Sequence, residues 1–511
     1  MNRSALSQAM ENWLQRDPDP TTRQELLELQ SNEQFDDLEN RFLKRLEFGT
    51  AGLRGLVGVG PGRMNRLVVR ETTAGLAEYL LETQTDVETR GVVITFDARP
   101  DSRQFAIDAA GILLAQGIKV YLTKDPQPTP VGAFGVVNLG AAAGIVVTAS
   151  HNPPEYNGYK VYWGNGAQII PPHDAGIARC IDNAATQPLR FVDLTTTDDH
   201  DELVWLGADF VKRYSESVHQ MLPSTTSKDR LRVAYTALHG VGAQLAVSVL
   251  ESSGLCNVHP VASQVQPDGT FPTVNFPNPE EPGAMDAVIA LAKEKEAELA
   301  VANDPDADRL AVAVRCEDGT YKQLSGDQVG ILLGNFVLSQ SRNKQPIVCT
   351  TIVSSRLLRG IAEAKGARYC ETLTGFKWLS NTALDLENET REFLFAYEEA
   401  LGYCIGRAVR DKDGISALLA FVQMASELAR KGKTVLDQLD EIYQQYGVYV
   451  TQQVSIATNP EQASPAVALR RDPPAQIGGI TADDADPCIR IPNIRKVRLA
   501  DRKQQLIVVT A

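Results

Sequence analysis

One local plan recurs three times along the 511 residues, and it constrains the fold more than any other feature. Residues 91–122 run from the apolar GVVITF through a polar loop and the helix-like FAIDAAGILLAQG to IKVYL. Residues 231–262 repeat the plan with LRVAYTA, a Gly-rich loop, a helix through LAVSVLESSG and a short strand ending in HPV. The third copy begins at Gln345 with PIVCTTI, continues through SRLLRGIAEAKG and reaches ARYCETLTG. Each copy is an apolar strand, a stretch of 3.6-residue periodicity and a glycine near the helix end, which is the signature of a βαβ unit. Three such units predict three similar α/β domains with mixed or mostly parallel sheets. The predicted divisions are 1–205, 206–325 and 326–445, with a helical segment around Leu26–Leu46 ahead of the first strand. The tail, 446–511, is rich in Pro and Asp, poor in helix signals and predicted to end in a strand, LIVV at 506–509. It is expected to be a small, truncated C-terminal α+β domain.

The charge balance narrows the partners. A formal net charge of −14 and a pI near 5.1 disfavour a general nucleic-acid binder, but leave room for a local basic groove around an anionic small molecule. No apolar run approaches the ~18 residues that span a bilayer, so no membrane partner is expected. The N-terminal stretch carries acids and lacks the apolar core of a secretory signal. Seven cysteines without a C-x-x-C pair form neither a zinc nor a disulfide framework. The expectation is a cytoplasmic protein with buried reduced thiols, its oligomeric state not legible.

Chemistry concentrates first in ELAVANDPDADRLAVAV, residues 298–314, where carboxylates fall at Asp304, Asp306 and Asp308 after an apolar strand. In an extended segment residues two apart share a side. Three anionic groups crowded together are costly unless a cation sits among them. Oxygen-only ligation suits Mg²⁺ with positions left open for phosphate. A calcium loop fails, because Arg309 replaces the required glycine and position twelve is Arg315. A solvated acidic turn is the weaker reading between two apolar strands.

The second concentration is VVTASHNPPEYNGYK, residues 146–160, with Ser150 at the rim of a strand, Pro153 and Pro154 stiffening the turn, and Lys160 placed to return as a charge or proton partner. Of six histidines only His151 adjoins the serine, and an adjacent side chain rarely aims at its neighbour, so no Ser-His-Asp system is read. The G-x-S-x-G elbow is absent too. A metal-activated serine that takes a phosphoryl group fits better.

In RLEFGTAGLRG, residues 45–55, glycines let backbone N–H groups approach an anion and Arg54 offers a fork for phosphate, in even competition with a flexible loop bearing a surface arginine. TLTGFKW (372–378) and FAYEEALGY (395–403) set aromatics beside Lys377, Glu398 and Glu399, a combination suited to a sugar. For DKDG, 411–414, an exposed turn with ordinary charges competes seriously. GVGPG at 58–62 reads as a turn, and Gly432-Lys433-Thr434 as one helix end and the Thr434 cap of the next.

Together these residues resemble the alpha-D-phosphohexomutase superfamily of phosphoglucomutases, phosphomannomutases and phosphopentomutases. TASHNPPEYNGYK resembles its phosphoserine loop, GTAGLRG its arginine loop, DPDADR its magnesium loop, and TLTGFKW and EEALGY its sugar loops. RLEFGTAGLRG and the F-K-W after TLTG look most like the phosphoglucomutase-2/phosphopentomutase branch. The resemblance implies four domains around a central cleft. It makes Ser150 the phosphoryl carrier, with Arg54, His151, Lys160 and Arg309 as the other catalytic residues. Mg²⁺ would be held by Asp304, Asp306, Asp308 and the Ser150 phosphate. Thr374, Gly375, Lys377, Glu398 and the position of Ala400 would meet the sugar. The implied activity is reversible transfer of phosphate within a sugar phosphate, glucose or ribose among the candidates, with a sugar 1,6-bisphosphate or pentose bisphosphate as activator.

Two departures stand out. The family's E-E-S reads E-E-A here, and the lost hydroxyl at Ala400 is worth about 0.5–1.5 kcal/mol of sugar binding. The family's R-x-S-G-T-E-P loop, which grips the non-reacting phosphate, is not found, the sequence running DRKQQLIVVTA about where it should begin. Lost anchoring should cut transition-state stabilisation as well as affinity. The alternatives are an activity-impaired phosphosugar-binding protein and a phosphatase with an aspartyl nucleophile.

Overall fold

The computed structural model describes residues 3–194, 200–223, 230–343 and 345–451, and beyond them the backbone of four strands. Each repeat folds as two parallel neighbouring strands joined by a helix. Val92–Phe96 pairs with Val120–Thr123, Leu231–Thr236 with Cys256–Pro260, and Pro346–Thr351 with Arg368–Thr372. The connecting helices are Ser102–Ala115, Ala243–Ser253 and Leu357–Ala364. Gly254 caps the second at φ +70, a left-handed conformation that side chains resist; Gly117 and Gly366 take it just past the other two.

The first sheet runs Leu53–Leu56, Tyr156–Trp163, Ala143–Val147, Val92–Phe96, Val120–Thr123, Leu203–Leu206. The second is Tyr321–Gln323, Ala311–Arg315, Leu299–Ala302, Leu231–Thr236, Cys256–Pro260, and the third Arg368–Thr372, Pro346–Thr351, Glu392–Glu398, Gly402–Ile405. All three are mixed. Val92–Phe96 and Ala143–Val147 are buried at every position, which is why they read as unbroken apolar runs rather than as alternation. The four further strands, Gln476–Ile477, Ile480–Asp484, Arg495–Arg498 and Gln505–Val508, pair antiparallel in chain order. The last overlaps the strand predicted at 506–509. The reading of a missing phosphate-gripping loop lies outside the described residues.

The N-terminal expectation needs correction. Instead of one helical segment there are three helices, Arg3–Arg16, Pro20–Ser31 and Phe35–Leu43. Asp19 caps the second through the Thr21 N–H, with Pro20 at its first position. Glu33, at φ +54, breaks it from the third. The apolar positions Leu26, Leu38 and Phe42 continue across that break into one core with the first sheet, so periodicity alone could not see it. Full burial of each such side chain contributes about 1.5–3 kcal/mol.

GVGPG is a turn, closed by Gly58 N–H on the Met64 carbonyl and Gly62 N–H on that of Arg41. Thr434 caps Val435–Tyr446 in a reciprocal box with Asp437, as read. Six described cysteines are free thiols, five of them buried. No helix among the described residues is long and apolar enough to cross a membrane.

Candidate active site

The three sheets bring the carboxyl ends of parallel strands to one place, where α/β folds hold their ligands. Val92–Phe96 leads to Asp97 and Arg99, Ala143–Val147 to Thr148 and Ser150, Leu299–Ala302 to Asp304, and Glu392–Glu398 ends at its own site carboxylate. Ser150 is 4 % exposed, sits at φ +51 and donates from Oγ to Asp304 Oδ2 at 2.9 Å, across 154 residues of chain.

One carboxylate oxygen from each of Asp304, Asp306 and Asp308 lies within 4.8 Å of the other two, and all three residues are buried. Strand alternation is not what gathers them. The strand stops at Ala302, and the segment turns back through Ala307 N–H on the Asp304 carbonyl at 2.8 Å, with Ala307 at φ +56. Lys160 Nζ holds Asp306 at 2.8 Å and Asp308 at 3.1 Å, and Thr129 Oγ1 donates to Asp306 at 2.6 Å. Arg309 gives its backbone N–H to Asp304 and its guanidinium to Glu280 at 3.3 Å.

Burial, then the charges of Asp306 and Asp308, pushes the Asp304 carboxyl well above its usual range. Burial acts on Asp306 too, but Lys160 and the hydrogen bonds from Lys160 and Thr129 outweigh it and take that carboxyl below its usual range. Asp306 Oδ1 and Asp308 Oδ1 are buried and have no hydrogen-bond partner. Two orphaned anionic oxygens beside a serine hydroxyl, in an all-oxygen set, fit a hard divalent ion such as Mg²⁺.

His151 departs from expectation. Its Nδ1 lies 3.2 Å from Ser150 Oγ, although the two residues are adjacent. Burial, reinforced by Arg309 and Arg54, lowers its pKa to about 3, so the imidazole is neutral. Arg54 stands on the exposed face of its strand and reaches Asn152 Oδ1 at 3.2 Å. The glycines before it do not offer free N–H groups, because those of Gly49 and Gly52 bond to each other's carbonyls. Gly52 is at φ +75 where a Cβ would lie 1.9 Å from the Tyr159 carbonyl oxygen, so only glycine fits.

A cavity of about 170 Å³ joins these groups to the third domain. Arg54, Ser150, His151, Lys160, Asp308 and Arg309 line one side, and Gly375, Phe376, Lys377, Glu398 and Lys412 the other. Glu398 accepts the Gly375 N–H at 2.6 Å, and burial raises its carboxyl. Lys377 meets the Thr50 hydroxyl, and burial lowers its ammonium. Thr374 is exposed and Ala400 half-buried in the hairpin; neither lines the cavity. Glu399 turns away to accept from Thr351 and Ser354 at 3.0 and 2.7 Å.

DKDG is not an exposed turn with ordinary charges. Asp411 and Asp413 are each 1 % exposed. Asp411 accepts from Tyr162 and Gln168 of the first domain at 2.6 Å each, and Asp413 caps Gly414–Arg430. Between them, Lys412 Nζ lies 3.2 Å from Asp308. Burial works against its ammonium, but Asp308 and Asp411 outweigh it and hold it charged. The available signal was a lysine between two aspartates just ahead of a helix.

Three family descriptions match in succession: "Phosphoglucomutase/phosphomannomutase, alpha/beta/alpha domain I" over residues 45–188, domain II over 209–319 and domain III over 325–446. The chain belongs to the phosphoglucomutase/phosphomannomutase family. Within it, the phosphopentomutase of Mus musculus is 40 % identical over 465 residues, covering 87 % of this chain and 75 % of that protein. A "Probable phosphomannomutase" of Haemophilus influenzae is 43 % identical over 423 residues, covering 82 % and 84 %. The fold is shared with a phosphoglucomutase/phosphomannomutase family protein from Burkholderia thailandensis, at TM-score 0.66 and 21 % identity over 88 % of this chain and 87 % of that one. This member lies near the phosphopentomutase branch and is a phosphosugar mutase, an enzyme of reversible phosphoryl transfer on sugar phosphates.

Proposed function

We propose that Ser150 carries the phosphoryl group in this reaction, within domains divided near residues 205, 325 and 445, and that pentose and hexose 1-phosphates are both substrates. The observation that carries the reading is the buried Ser150 Oγ, 2.9 Å from Asp304 and lining one cavity with Lys160, Lys412 and Arg309. In loading, a bond forms between Ser150 Oγ and the phosphorus of a sugar bisphosphate while the bond from phosphorus to the sugar oxygen breaks. The sugar oxygen takes the electron pair and the proton that Ser150 gives up. Asp304 Oδ2 and His151 Nδ1 are the acceptors within 3.2 Å of Oγ. Lys160, Lys412, Arg309 and Arg54 balance the charge on the phosphoryl oxygens. After the sugar turns end for end, the other oxygen takes the group back. Glu398, Lys377 and the backbone at Gly375 face the sugar hydroxyls, with Thr374 and Ala400 outside the cavity wall.

Asp304, Asp306 and Asp308 would hold Mg²⁺, which supplies positive charge to the phosphate oxygens when bound. Returning Mg²⁺ to chelator-treated protein should raise the unfolding temperature, since a ligand at 100 times its Kd adds about 2.7 kcal/mol of stability. An unchanged melting curve would overturn the metal assignment. The buried free thiols support a cytoplasmic enzyme. The non-catalytic alternative is not favoured, because serine, carboxylates and lysines stand together.

Peptide mass spectrometry after incubation with glucose 1,6-bisphosphate and Mg²⁺ tests the carrier. Phosphate should appear on the peptide containing Ser150, and a protein that never takes it there does not work as proposed. Phosphorus NMR with competing glucose and ribose 1-phosphates then reads the sugar preference.

A further inference from the structure

Arg99 does not line the cavity, yet its side chain, 1 % exposed, is bonded to the turn that carries the serine. Its Nη2 donates to the carbonyl oxygens of Ser150 at 2.8 Å and Asn152 at 2.6 Å, and its Nη1 to those of Pro153 at 2.7 Å and Tyr156 at 2.8 Å. Its Nε donates to Asp97 Oδ2 at 3.2 Å. A guanidinium has five N–H donors, and here all of its nitrogens are engaged. On the other side of the nucleophile, the Ser150 N–H donates to Thr148 Oγ1 at 2.9 Å, and that hydroxyl donates to Asp97 Oδ2 at 2.6 Å. Both peptide groups flanking Ser150 therefore lead back to one carboxylate.

This arrangement has a physical purpose. Ser150 is a non-glycine residue at φ +51, and such a conformation persists only where the surroundings over-determine it. Two prolines farther along the turn cannot set φ at Ser150, whereas bonds to its own carbonyl and N–H can. We infer that Arg99, together with Thr148, is a positioning residue that keeps Ser150 in the left-handed conformation, so that Oγ faces Asp304 when phosphate is taken and when it is given back. The inference rests on the proposed role of Ser150 as carrier.

The test compares Thr148→Val, Thr148→Ser and Arg99→Lys with the wild type in the rate of Ser150 phosphorylation by glucose 1,6-bisphosphate, alongside KM and the unfolding temperature. Valine keeps the bulk and removes the acceptor; lysine keeps the charge and loses the fork. Both should load phosphate about 100-fold more slowly, the scale of a misplaced reacting group, with KM nearly unchanged. Thr148→Ser, which keeps the hydroxyl, should load at the wild-type rate. If Arg99→Lys or Thr148→Val loads as fast as the wild type, or if loading falls equally in Thr148→Ser, the positioning role is wrong while the carrier role stands. A wild type that takes no phosphate at Ser150 removes both.

Discussion

Replacing Ser150 by alanine is expected to lower turnover by at least about 10⁴-fold, the scale seen when a covalent carrier is removed. Ser150 Oγ is the hydroxyl that lines the cavity beside the carboxylate cluster. One oxygen of Asp306 is held by Lys160 and Thr129, and one of Asp308 by Lys160 and Lys412, as suits ligands of a cation rather than a phosphoryl carrier. The fold should survive, because alanine meets about the same 1–2 kcal/mol cost of the left-handed conformation that serine already bears. A phosphorus NMR assay of glucose 1-phosphate turnover, read against thermal unfolding, separates the two effects. Activity that survives the change would assign the chemistry to an aspartyl nucleophile.

Lys412→Met should be the next most damaging, costing about 10²–10³-fold in kcat/KM, as removal of one preorganised charge from a transition-state site does. The ammonium comes from the third domain and meets Asp308 of the second at 3.2 Å. Methionine fills similar space without charge. Asp308 keeps Lys160 at 3.1 Å, so the destabilisation should fall short of the about 3–5 kcal/mol typical when a buried pair is broken outright. Lys433→Met, at the exposed pair with Glu441, is the control and should change stability by less than about 1 kcal/mol and turnover not at all. A Lys412 variant with full activity at temperatures where it is folded would reduce that lysine to a structural role.

The parts that could be read from the residues were those encoded locally. Three strand–helix–strand repeats predicted three mixed α/β domains because burial on both faces leaves unbroken apolar strands, and helix ends leave glycines at φ near +70. Ser150 and the three aspartates stood out because their residue types are costly or conspicuous at strand ends. Their geometry was read less well. The aspartates meet through a turn at Ala307, not along an extended segment, and one left-handed residue accompanies the approach of His151 to its own neighbour. The N-terminal helices merged in the reading because core contacts continue across Glu33.

What the sequence determined by itself was the repeat, the chemical types at the strand ends and so the reaction class. What only the tertiary structure decided was which of those groups share one cavity. Ser150 and Asp304 are 154 residues apart, Tyr162 and Asp411 249, and Lys377 and Thr50 327. Charges such as Lys412 and Arg99 look like ordinary surface residues until folding buries them. Inside, the cost of desolvation forces each to find a partner. For Lys412 that partner is Asp308 of the carboxylate cluster, and for Arg99 it is the backbone around the serine.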